Sequence, residues 1–306
     1  MRTLEQKISD AGPYNQRIDP HLLTIARKEL ETSGQLSTIR EHGTPWHHLT
    51  GHPPTEVAAR LAEQASISRR IGRQQFTMRV GQALEIAVYR ALRRQTHLEY
   101  FGAFIDLDGH DDATRYRKEE PPSNISGHRM PGDLSLDFLV YSPDGGFAGL
   151  EVKNIREWIY PDREEVTSLI HKCCAFDAVP VLICRRYAYS TYSVLSRCGV
   201  LLHQCYNQLY PSADAELAAL ARDKKMLGFH DIRLGNEPDR RLEKFIGQDL
   251  PALLPSARAR FDEYKDLLCD YGSGSMGYDE FAGRALRRSR GENEDGDFDA
   301  DDFADW

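Results

Sequence analysis

SLDFLVYSPDGGFAGLEVKN, residues 135–154, is the stretch on which the fold turns. Successive side chains of a strand point to opposite faces. In a first strand, Leu134–Tyr141, Leu134, Leu136, Phe138 and Val140 share one face, while Asp133, Ser135 and Asp137 share the other. Ser142-Pro143-Asp144-Gly145-Gly146 is a turn signal. A second strand, Phe147–Lys153, sets Leu150 and Val152 against Glu151 and Lys153. So tight a connection makes the strands neighbours and brings two carboxylates and an ammonium to one sheet surface. Charges seldom interrupt apolar strands without a reason, because burying them without a partner is costly.

Working outward, Asp162 is placed to open a helix, with Glu165 three residues on as a capping box, and Val166, Leu169, Ile170 and Cys173 form its apolar stripe. Val179–Cys184 reads as a buried strand, followed by a short helix near Tyr189–Arg197 and a strand at Gly199–His203. Upstream, a short helix is expected over Thr55–Gln64 and a longer one over Ser68–Arg94, with the stripe Val80, Leu84, Ala87, Val88 and Ala91. A strand-like run, Leu98–Leu107, and a polar loop through Gly132 lead to the central hairpin. The order α-β-β-β-α-β-α-β predicts an α/β fold, a mixed central sheet flanked by helices. Residues 213–290 read as mostly helical, with one strand near Gly228–Leu234, and Gly272, Gly274 and Gly277 read as a flexible linker.

The acid pair and lysine fit one chemistry. Hard cations such as Mg²⁺ take oxygen ligands, often one or two carboxylates with water and substrate phosphate. A bound cation activates water and neutralises charge on phosphate, and a nearby lysine orients the water or holds a phosphate oxygen.

In these residues the chain resembles the PD-(D/E)XK nuclease superfamily, most of all its Holliday-junction-resolvase and restriction-endonuclease branches. The resemblance covers about residues 70–203. Asp137 corresponds to the first acid, and Glu151 and Lys153 to the Glu-x-Lys motif. The chain departs from the pattern in that neither Asp137 nor Asp133 follows a proline, and either could be the first acid. The likeness implies a restriction-endonuclease-like fold and an endonuclease that cuts DNA with Mg²⁺ or Mn²⁺. Asp137 or Asp133, Glu151 and the carbonyl of Val152 would hold the ion, with Lys153 beside the attacking water. It further implies a Glu from the preceding helix, matched by Glu85, and a Lys from the following helix, matched by Lys172, with His171 second. The alternative is a catalytically inactive nucleic-acid-binding or assembly subunit on the same fold.

Residues 1–54 form a separate expectation. Asp19-Pro20 starts a helix, Leu22, Leu23, Ala26 and Leu30 give its stripe, and Gly34 ends it. Two short strands, Gln35–Arg40 and Pro45–Leu49, flank a polar tip. The arrangement resembles the recognition helix and wing of a winged helix-turn-helix, against which stands a generic helical extension. The first reading assigns Arg27, Lys28 and Arg40 to DNA contact. His42, His47, His48 and His52 read as solvated wing residues and not as a metal site. Three further segments follow: a nuclease-like domain at 55–210, a helical region at 211–290 and an acidic tail at 291–306.

Charge supports rather than opposes a polyanionic partner. The net charge of −8 is matched by eight acids, without a base, in residues 291–306, which leaves the rest of the chain neutral. Basic clusters stand at Arg69-Arg70, Arg93-Arg94, Arg185-Arg186 and Arg284–Arg290, and local charge is what a phosphate backbone meets. The tail carries Phe298, Phe303 and Trp306, which suggests docking on the protein itself or on a protein partner. No transmembrane run or signal peptide is apparent, and six cysteines without a CxxC pair point to a reducing cytoplasm. A homodimer would suit the family resemblance.

Overall fold

The computed structural model describes residues 3–11 and 18–294. It is a mixed α/β structure divided into two compact units. One draws on the chain up to Val80, on Asp111–Arg115 and on Asn207–Gly235; the other on Gly81–His110, Tyr116–Tyr206 and the chain from Asn236 onward. These are not the contiguous stretches expected with bounds at 54, 210 and 290. Gln208–Tyr210 pairs in parallel with Ile232–Leu234, and Leu217, Ala218, Ala221 and Phe229 pack with Ile67, Phe76 and Val80. Long-range burial therefore gathers residues 207–235 with the first unit. The acidic tail lies outside the described residues from position 295.

In the second unit a five-stranded sheet runs in the order Leu201–Gln204, Val179–Cys184, Gly146–Lys153, Phe138–Ser142, Glu99–Phe101. The first three are parallel, and the last two join antiparallel. The parallel strands are linked through helices Glu164–Phe176 and Tyr189–Arg197, as parallel connections require. Val179, Val181 and Ile183 are buried, and so are their alternates Leu182 and Cys184, the mark of a strand covered on both faces.

The central hairpin closes where expected, with Ser142 opposite Gly146. The Gly145 amide donates to the Ser142 carbonyl, and Gly146 adopts a left-handed φ of 71° that glycine accepts without strain. The first strand is shorter than expected. Leu134 is exposed, and regular pairing starts at Phe138, although the Asp137 amide still donates to the Leu150 carbonyl at 3.1 Å. Phe138, Leu139 and Val140 are all fully buried, so the acid-bearing face is packed as well.

Other boundaries also differ. The upstream helices are Pro54–Ile71 and Gln74–Arg93, separated at Gly72 and not near residue 66. The run Leu98–Leu107 breaks at Gly102 (φ 99°), where a Cβ would lie 2.9 Å from the Asp137 carbonyl oxygen. Past this break Ala103–Phe104 leaves the sheet and pairs with Lys118–Glu119. The capping box does not form. The helix begins at Glu164, and the Glu165 carboxylate is held by the Arg163 guanidinium at 2.7 Å. The expected glycine linker is partly helix: Leu250–Ser273 includes Gly272, and left-handed Gly274 caps it.

In the first unit, helix Pro20–Thr32 is capped by Asp19, whose carboxylate accepts from the His21 amide at 2.8 Å. Strands Leu36–Glu41 and Thr44–Leu49 form the expected hairpin around His42-Gly43, both at positive φ as a two-residue hairpin turn requires. The expected helix face is reversed. Leu22, Ile25 and Leu30 are exposed, and Arg27 turns inward to Glu5 at 2.7 Å and Glu31 at 2.8 Å. Glu31 also accepts from Thr38, tying the hairpin to the helix. Arg27 is therefore a buried structural cation and not a surface contact. Lys28 and Arg40 are exposed.

Candidate active site

Glu85, Asp137, Glu151, Lys153 and Lys172 gather in the second unit, joined by a residue that the sequence did not single out, Lys118. Each is placed by a neighbour that packs. Tyr89 stacks on Phe138 with ring centroids 6.3 Å apart. Four residues earlier on a helix is the same face one turn back. There stands Glu85, at the level of Asp137, which precedes Phe138. Gly149 has the corresponding role for the following helix. A Cβ at that position would stand 2.6 Å from Cys173 Sγ, so only glycine lets this helix lie so close to the strand. Next to Cys173, Lys172 then reaches Glu151 Oε2 at 2.9 Å. His171, the second choice, has its backbone against Gly272 instead.

Of the two candidate acids, Asp137 is the one that the hairpin holds. Asp137 Oδ2 accepts from the Val152 amide at 2.8 Å, across the strand pair. Asp133 is exposed in a turn and takes no part. Glu151 is buried and held at both oxygens, Oε1 by Lys153 at 2.6 Å and Oε2 by Lys172. Lys118 Nζ lies 2.8 Å from Asp137 Oδ1 and 2.9 Å from Glu85 Oε2. Three carboxylates thus face three ammonium groups.

Burial acts against ionisation of Glu85, while the carboxylates favour the charged lysines. Burial, and then the proximity of Asp137, push the Glu85 carboxyl up to about 7 despite the opposing pull of Lys118. Burial disfavours charge on Lys118, but Asp137 and Glu85 outweigh it and hold its pKa above the ordinary lysine value. Lys153 is likewise raised, with burial overcome by Glu151 and Asp137. Among the described residues no three His, Cys, Asp or Glu side chains converge as ready ligands for one ion. Of the hairpin histidines, His47 is largely buried beside Thr38 and Glu31, not solvated as expected, whereas His42 and His52 are exposed, with His42 meeting Arg69.

Sequence reasoning missed Lys118 because its strand is two residues long and lies inside a stretch that reads as polar loop. The signal is spatial: it exists only once the chain breaks at Gly102. The chain matches no family model, no curated protein and no solved structure. Among the described residues no helix is long and apolar enough to cross a membrane.

Proposed function

We propose that this chain is a divalent-cation-dependent endonuclease acting on DNA, built on a restriction-endonuclease-like sheet. The observation that carries the reading is the meeting of Asp137, just before the first hairpin strand, with Glu151 and Lys153 on the second, joined by Glu85 from the preceding helix and Lys172 from the following one. The donor set suits a hard cation. Glu85 and Asp137 already share one positive charge, that of Lys118, and Glu85 remains hard to ionise beside Asp137. Asp137, Glu151 and the Val152 carbonyl would hold Mg²⁺ or Mn²⁺, with Glu85 beside them. Such an ion supplies Lewis acidity at the phosphate and the attacking water. The Val152 amide and Lys172 hold the two acids in place. Lys153 is placed to orient the water or to hold a phosphate oxygen.

A second reading, an inactive nucleic-acid-binding subunit, is favoured by one observation: lysines already neutralise all three carboxylates. Cleavage of plasmid, single-stranded, branched and RNA substrates with Mg²⁺ or Mn²⁺ separates the two. Glu151→Gln and Lys153→Ala should each lower cleavage by roughly a hundredfold or more, the scale of lost acid–base or metal assistance. Full activity in either variant would refute the assignment, and binding without cleavage by the parent chain would select the second reading.

A further inference from the structure

Lys118 stands where a cation would be useful. Its Nζ is 2.8 Å from Asp137 Oδ1, 2.9 Å from Glu85 Oε2 and 3.6 Å from Glu120 Oε2. The side chain is 11 % exposed, so this is a built contact and not a surface pairing. Asp137 has two oxygens. The Val152 amide takes Oδ2 as part of the strand pair, and Lys118 takes Oδ1. An incoming cation that ligates Asp137 through Oδ1 must displace Lys118 from it.

Lys118 differs from the other two lysines in where its backbone lies. Lys172 projects from a helix of thirteen residues packed on the sheet, and Lys153 ends an eight-residue strand. Lys118 rides on a two-residue strand, paired with Ala103–Phe104 outside the main sheet. Its neighbours Tyr116 and Arg117 are tied to Gln82 and Asp106, so the part that can withdraw is the flexible lysine side chain and not the strand.

We propose that Lys118 is a resident counter-ion: it occupies the cation position between Glu85 and Asp137, and must withdraw before a divalent ion can ligate Asp137 through Oδ1. This rests on the proposed nuclease site and adds to it a control on metal loading. A site blocked most of the time binds with its intrinsic affinity reduced by the open fraction. Occupancy by Lys118 for about nine-tenths of the time would weaken apparent metal affinity by about tenfold.

The test is titration of the full-length protein with Mn²⁺ alone, by calorimetry and by thermal shift, without nucleic acid. Lys118→Met is compared with the parent chain and with Lys153→Met, which removes the same charge from the same cluster without freeing Asp137 Oδ1. Asp137→Asn reports whether binding is at this site. The expected result is an affinity roughly tenfold tighter in Lys118→Met, well beyond any gain in Lys153→Met, and abolished by adding Asp137→Asn. Equal gains in the two lysine variants would mean charge alone, and would overturn the counter-ion role while leaving the metal site standing. So would a Lys118→Met affinity equal to that of the parent. Absence of Mn²⁺ binding in every variant would remove both the inference and the metal-dependent reading. Should Lys118→Met not fold, Lys118→Gln is judged by the same comparison.

Discussion

Glu85 offers a direct probe of the acid cluster, because its ionisation acts against the native state. Burial and the Asp137 charge place its folded pKa at about 7, against an ordinary 4.5. Between those values the folded chain holds a proton that the unfolded chain has released. Folding stability therefore falls as pH rises through this window, and stops falling once Glu85 is ionised in both states. At about 1.4 kcal/mol per pH unit, the full loss is on the order of 3 kcal/mol. Glu85→Gln keeps the shape and one acceptor but cannot ionise. Urea unfolding of both proteins at pH 5, 6, 7 and 8, in EDTA, isolates the effect, since the other titrations largely cancel in the difference. Near pH 5 the variant should be close to the parent in stability. By pH 8 it should have gained on the parent by up to about 3 kcal/mol. The pull of Lys118 on the Glu85 carboxylate is already contained in that figure. Parallel curves would show that Glu85 ionises normally, and that it does not share a buried space with Asp137.

Other substitutions test the scaffold. Gly149→Ala drives a methyl group to 2.6 Å from Cys173 Sγ and 2.8 Å from Leu136 Cδ1. It should cost about 1–3 kcal/mol by overpacking, read as a lower urea midpoint. Cys173→Ala in the same chain should recover part of this, and strict additivity of the two changes would refute the contact. Arg27→Ala strands the buried Glu5 carboxylate and should destabilise the first unit by about 3–5 kcal/mol; a neutral effect would show that Arg27 is not buried. Lys28→Ala with Arg40→Ala tests the exposed surface. If both residues meet phosphate, the slope of log affinity against log salt should shrink by about two, and an unchanged slope would remove this face from DNA contact.

What was legible in the sequence, and what was not, follows the range of the forces involved. The hairpin at 138–153 was readable because strand alternation and a glycine turn are local. The same is true of the Asp19 cap and the buried stripe from Val80 to Ala91, each specified within a turn or two of chain. The failures are pairings across distance. Arg27 reads as a surface residue until Glu5, twenty-two positions away, closes on it. Glu165 fits a capping box by spacing, but Arg163 offers a full charge at 2.7 Å and takes the carboxylate. Residues 207–235 look like the start of a C-terminal region, yet their apolar side chains find the core of Ile67, Phe76 and Val80. Lys118 is the extreme case, since no periodicity marks a two-residue strand.

These differences also sort the site into parts of unequal stiffness. Asp137 Oδ2 is fixed by a backbone amide of the central hairpin, and Glu151 by a lysine on a helix that Gly149 admits to close contact. Those constraints come from the sheet and the helix packed on it, and they persist as long as the unit is folded. Asp137 Oδ1 and Glu85 Oε2 are satisfied instead by a side chain on a short excursion from the sheet. Acids held by the sheet, facing a cation carried on a flexible side chain, are suited to exchange. One positive charge can leave and another take its place without moving the Phe138–Lys153 hairpin, and the site can then change occupant at a cost confined to the segment around Lys118.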